Sequence, residues 1–201
     1  MPTTDPLPGT RDRLVAAMYD ALQRRGLHGM GLNELLLQAQ APKGVLYHHF
    51  PAGKSALAVA AIEEAIARLT TGLDGLLASK KAPAAALRSW MASAQKQLEG
   101  SLFERGCPLA TVALESTAQD TAIRQALAQG FEAVRERLGA LLGAAGMAPA
   151  PARQLAALIV AAYEGALLQA RVAGHAQVMS DTTESLIRLV EFELQSIPTP
   201  P

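Results

Sequence analysis

Apolar residues recur along most of this chain at intervals of three and four, the period of an α-helix with one buried face. Leu14, Ala17, Met18, Ala21 and Leu22 form the first such face. That helix is expected to start at Thr10, as its N-cap, and to end at Gly26. The breaker LHGMG at 27–31 precedes a second helix, from about Leu32 to Gln40. Ala41-Pro42 interrupts again, and Pro42 suits the first turn of a third helix, about Lys43 to His49, because no N–H partner is needed there. Pro51 and Gly53 end it. A fourth helix, about Lys54 to Ser79, repeats Ile62, Ile66, Leu69, Leu73 and Leu76 as one continuous buried stripe. Ala82-Pro83 opens a fifth, to about Glu99, and a loop follows at 100–107. Pro108 opens a short sixth helix ending near Ser116. The seventh, Asp120 to Ala145, aligns Ile123, Leu127, Phe131, Val134, Leu138 and Leu141. Pro149 and Pro151 mark a break before the eighth, about Ala152 to Ala173, and the ninth covers about Asp181 to Ser196. The tail IPTPP is expected to fray.

Composition supports this all-α reading of about nine helices. Half of the 201 residues are apolar and only 4% are aromatic, so runs suited to strands are few. Formal net charge is zero, yet residues 1–60 hold six Lys/Arg against four Asp/Glu, together with His28, His48 and His49. The excess of positive charge at that end is slight. One cysteine, Cys107, rules out a disulfide within the chain and fits a reducing compartment. Met1 to Gly9 lacks the apolar core of a signal peptide. The most apolar run, Leu155 to Ala170, contains Glu164 and is short for a bilayer. No membrane partner is expected, and the location implied is cytoplasmic. No cofactor motif or metal-ligand cluster appears.

The most specific pattern lies in the first sixty residues. Three short helices are separated by a loop and a tight turn, and the third ends in YHHF. A helix-turn-helix needs a third helix with reaching polar residues on one face and apolar anchors behind. PKGVLYHHF supplies both: Lys43, Tyr47, His48 and His49 can donate, Gly44 allows close approach, and Val45 can touch a thymine methyl. Leu46 and Phe50 are the expected inward anchors.

GLNELLLQAQAPKGVLYHHFPAGKSAL, preceded by TRDRLVAAMYDALQRRG, strongly resembles the TetR family of repressors. GCPLATVALE (Gly106 to Glu115) and AAYEGALLQAR (Ala161 to Arg171) resemble its LmrA/YxaF-like branch, so the similarity covers nearly the whole chain. The resemblance implies a homodimer on a palindromic operator, released by a small-molecule effector, expected to be hydrophobic or aromatic. It implies a helix-turn-helix domain over 1–53 and a ligand-binding and dimerisation domain over 54–201. It places Lys43, Gly44, Val45, Tyr47 and His48 on the DNA face, with Thr10 and Lys54 touching phosphates. Asn33 stands where a hydroxyl residue is commoner, and its amide can serve the same end. Gln38 and Gln40 stand at a turn where glycine is commoner, which implies a less sharp break.

Blander readings compete with each of these. YHHF is by itself an ordinary helix end. His48 and His49 point about 100° apart, and no carboxylate or cysteine is near in sequence, so a metal pair is not expected. The glycines and Lys54 do not have phosphate-loop spacing. Cys107 reads as a buried structural thiol rather than a redox sensor. The eighth helix is apolar nearly all round and needs cover on two sides; a twin subunit, meeting Leu158, Ala162, Leu186, Leu189, Val190 and Glu193, is the expected cover. Ligand contacts are expected from Trp90, Met91, Phe103, Glu115, Phe131, Tyr163, Glu164 and Leu167, though residues of these types are more often plain core. An enzyme is not expected, because no nucleophile is paired with a base, and a helical interaction module is the third alternative.

Overall fold

Nine α-helices and no strand make up the described residues, 9–196, of the computed structural model. The expectations for residues 1–8 and for the tail from Ile197 lie outside them. The helices are α1 (Thr10–Arg24), α2 (Leu32–Gln38), α3 (Lys43–His49), α4 (Lys54–Ala78), α5 (Pro83–Gly100), α6 (Pro108–Glu115), α7 (Thr121–Ala144), α8 (Pro149–Ala173) and α9 (Gln177–Gln195). Most bounds fall within two residues of those read from periodicity. Two starts do not. Pro149 and Pro151 open α8 instead of preceding it, since first-turn N–H groups have no intrahelical partner for proline to remove. Gly174, at φ 70, ends α8 in the left-handed conformation, and α9 resumes at Gln177, burying Met179. Thr10 is not the N-cap of α1: Gly9 holds that position, and Thr10 is the first helical residue.

Helices α1, α2 and α3 enclose Leu14, Met18, Leu22, Leu35 and Leu46, and α4 adds Leu57 to the same cluster. Burial of side chains this complete contributes roughly 1.5–3 kcal/mol each. From there α4 runs into the larger bundle and packs chiefly on α1 and α7. Its stripe is less continuous than expected: Ile62 and Leu73 are buried, while Ile66, Leu69 and Leu76 are half-buried. At the α4–α7 crossing, a Cβ on Gly130 would lie 2.7 Å from the Ile66 side chain and 2.9 Å from that of Leu109, so any larger residue would force those side chains to shift. α8 packs on α7 and α9, and α9 also packs on α5. One core cluster runs through both ends of the molecule.

Candidate nucleic-acid interface and effector cavities

α3 divides its residues sharply by face. Leu46 and the following Phe50 are buried, whereas Lys43, Gly44, Tyr47 and His48 are exposed and Val45 and His49 are partly so. Asn33 is exposed at the start of α2, and Thr10 is half-buried. The three helices that carry these residues pack on one another. Gly53 links them to α4. Its φ of 65 lies in the left-handed region, and an added Cβ would sit 3.3 Å from the Tyr47 ring.

The turn between α2 and α3 has two supports that the sequence did not announce. Gln40 adopts φ 50, the conformation usually given to glycine. The turn is therefore as sharp as a glycine turn, contrary to the milder break expected from glutamine. Arg13 of α1 donates from Nε to the Ala39 carbonyl at 3.0 Å and from Nη2 to that of Gln40 at 3.4 Å. Arg11 lies with its guanidinium 5.6 Å from the Phe50 ring centre, beside the end of α3. Only spacing along the polar side of α1 hinted at either arginine.

Lys54 is partly exposed at the start of α4, and its Nζ donates to the Met30 carbonyl at 2.6 Å, so one of the three ammonium donors ties α4 to the α1–α2 loop. Burial lowers its pKa, and the Glu115 charge opposes that shift.

The residues expected to line one ligand cavity fall into separate places. Met91 is buried core, whereas Trp90, its ring 4.3 Å from that of Tyr163, borders a small cavity of about 170 Å³ together with Tyr163, Tyr19 and Arg68. Tyr163 borders a cavity of about 240 Å³ among α1, α4, α5 and α8, which also meets Tyr19, Arg68, Gln97 and Arg105. Phe131, Glu164 and Leu167 line a second cavity of about 440 Å³ among α6, α7 and α8, whose wall is mostly apolar. Cys107 and Leu167 border both cavities. Phe103 is elsewhere, in an open cleft with Arg24, Glu34 and Val172, between the first helices and the end of α8.

Glu115 is a further correction. Its Oε2 accepts from the backbone N–H of Leu27 at 2.6 Å and of His28 at 3.0 Å. It therefore fastens the end of α6 to the loop after α1 rather than facing a ligand. Gly26 makes room for it, since a Cβ there would lie 1.9 Å from Oε1. Two further bonds hold the same end of α1: Gly106 N–H to the Gln23 carbonyl at 2.9 Å, and Arg171 Nη2 to the Arg24 carbonyl at 2.6 Å. Arg105 also pairs with Asp20 at 2.5 Å.

Burial raises the Glu164 pKa to about 7, partly offset by a hydrogen bond from Cys107. The Cys107 thiol is pushed well above its usual value, first by burial and then by the Glu164 charge, so it stays protonated. That agrees with a structural thiol. Among the described residues no cluster of three metal-ligating side chains occurs.

On α8 the buried side is Leu155, Ile159, Tyr163, Ala166 and Ala170. The opposite side exposes Leu158 (49%), Ala161, Leu168 (53%) and Val172 (83%), an apolar stripe at helical spacing. α8 is long and apolar enough to cross a membrane by length and composition, yet its other face lies in the bundle. Of the predicted interface residues, Leu158 is on the open stripe, and Ala162, Leu189 and Glu193 are partly exposed. Leu186 and Val190 are not on it; they are buried in the chain's own core. Helical spacing alone could not tell which apolar side of α9 turned inward. Phe192, 66% exposed, was missed.

Comparison with known proteins follows the same lines. Residues 83–185 match the family model described as transcriptional regulator LmrA/YxaF-like, C-terminal domain. An HTH-type transcriptional regulator of Mycobacterium tuberculosis (strain CDC 1551) is 30% identical over 174 residues, covering 83% of this chain and 86% of its own length. The HTH-type transcriptional repressor NemR of Escherichia coli K12 is 43% identical over 70 residues, 35% of each chain. The crystal structure of regulatory protein TetR from Rhodobacter sphaeroides superposes with a TM-score of 0.81 at 26% identity, over 89% of this chain and 97% of that one.

Proposed function

We propose that this chain, which belongs to the TetR family of DNA-binding transcriptional regulators and to its LmrA/YxaF-like branch, is a repressor that leaves a palindromic operator when a small hydrophobic molecule binds. The observation that carries this reading is the two-faced α3: Leu46 and Phe50 anchored in the core, Lys43, Gly44, Tyr47 and His48 open to a groove. In this reading Val45 and His49, partly exposed on α3, Asn33, exposed at the start of α2, and Thr10, half-buried at the start of α1, add to the DNA contacts. Residues 1–53 read DNA and 54–201 sense and pair. The relative named as a repressor favours repression over activation. A regulator of this kind works in the cytoplasm, on the genome.

Two copies are needed, because one α3 spans only a half-site and the second must sit about 34 Å away. The open stripe of α8, with Leu189 and Phe192 of α9, is the surface for that pairing. The effector cavity of this reading is the one among α6, α7 and α8. Its lining includes Gly106 and Arg171, which bond to the end of α1, and Leu168, which belongs to the pairing stripe. A ligand there acts on the helix that carries the recognition unit and on the dimer surface together. A near-complete switch requires the two states to differ in ligand affinity by roughly 5.5 kcal/mol.

The test is fluorescence anisotropy with duplexes from the DNA flanking the chain's own coding region, at two salt concentrations. The expected result is saturable binding that weakens steeply with salt. Lys43→Ala and Tyr47→Ala weaken it by about tenfold or more while the dimer persists. A compound that fills the cavity raises the operator Kd. No binding to any flanking duplex, or full binding by both variants, overturns the reading.

A further inference from the structure

The cavity among α6, α7 and α8 has a carboxylate, Glu164, in its wall with no counter-charge beside it. Glu164 lines it, and the Oε2 atom of Glu164 is shut off from solvent with no hydrogen-bond partner among the described residues. The carboxylate's one side-chain donor is the Cys107 thiol, a weak one, and a buried carboxylate with no counter-charge beside it is costly. The other charged residue on this wall, Arg171, lies two helical turns further along α8, about 10 Å by helix rise. Arg171 donates to the Arg24 carbonyl instead. The rest of the wall is mostly apolar, with Ala110, Phe131, Leu167 and Leu168, and includes Cys107 and Thr111.

A carboxylate and an aromatic ring in a mostly apolar wall, with Arg171 two helical turns away and held by the Arg24 carbonyl, both favour a cation. The first supplies Coulomb attraction at low dielectric, the second the negative face of its π-system. A neutral hydroxyl can satisfy one lone pair of Glu164 but brings no counter-charge. An anion meets it as a like charge. The volume, about 440 Å³, lies within the range of small-molecule sites.

We propose that the α6–α7–α8 cavity binds a hydrophobic amine as its ammonium ion, with Glu164 as the counter-charge and Phe131 as the aromatic wall. The assignment rests on reading this cavity as the effector site and adds the chemical class of the effector.

Phenylbutylamine and phenylbutanol share a skeleton and differ in that charge. Each is titrated into the full chain and into Glu164→Gln, with binding read by calorimetry and by the fluorescence of Trp90, the single tryptophan. The native protein binds the amine about tenfold or more tightly than the alcohol, a difference of about 1.4 kcal/mol or more. Glu164→Gln loses that preference while holding the alcohol as the native protein does. Should Glu164→Gln not fold, Phe131→Leu serves: it weakens the amine more than the alcohol. Equal affinities in the native protein, an amine preference that survives Glu164→Gln, or no amine binding at millimolar concentration overturns the proposal. Operator anisotropy run in parallel separates the two readings. Amine binding through Glu164 that leaves operator affinity unchanged keeps this assignment and removes the effector role. Release by neutral compounds, with no amine preference, does the reverse.

Discussion

At Glu164, burial and charge oppose each other. Its folded pKa of about 7 stands above the ordinary 4.5, so the folded state holds its proton more tightly than the unfolded chain does. That contribution is fully present below pH 4.5 and is lost as pH rises through 7. Stability therefore falls across that window by up to about 3 kcal/mol from this group alone. Urea denaturation from pH 4.5 to 8 checks this: the native chain loses stability, and Glu164→Gln flattens the slope over that interval. Gln40 offers a smaller case. Its left-handed backbone carries a cost that glycine avoids, so Gln40→Gly raises stability by about 0.5–1 kcal/mol in the same assay. The faces of Lys43, Tyr47 and Leu46 were legible in the sequence because they depend only on helical period. The partners of Lys54 and Glu115 were not, because Met30 and Leu27 approach them from distant points in the chain.

Among elements, the end of α1 is the busiest junction. Glu115 from α6, Gly106 from the preceding loop and Arg171 from α8 all bond to it. Removing the Glu115 carboxylate leaves the Leu27 and His28 N–H groups without this acceptor, a loss of about 1–3 kcal/mol where such groups are buried. Glu115→Ala is expected to lower stability toward the smaller end of that range, since the site is only partly buried, and to reduce the change in operator Kd that a cavity ligand causes. Anisotropy with and without ligand measures the second effect; an unchanged shift removes Glu115 from the coupling. At the α4–α7 crossing, Gly130→Ala forces Ile66 and Leu109 to move and lowers stability by about 1–3 kcal/mol, read by thermal unfolding. Order and type of the helices could be read from the three–four period and from proline and glycine. The starts of α8 and α9 could not, since prolines that look like a break are compatible with a first turn. Neither could the inward turn of Leu186 and Val190, which depends on where α5 and α8 lie.

For the molecule as a whole, one core runs from the recognition unit to the last helices, and α8 leaves an apolar stripe open on its far side. A repressor of this fold must hold two α3 helices at a set spacing, so that stripe and α3 stand or fall together. The direct measurement is sedimentation velocity of the native chain and of Leu168→Glu, each alone and with an operator duplex. The account predicts a native dimer that places two chains on one duplex. It predicts that Leu168→Glu, with α3 untouched, becomes a folded monomer and loses tight operator binding. A native monomer that binds the operator one chain at a time, or a monomeric Leu168→Glu with native affinity, would contradict it.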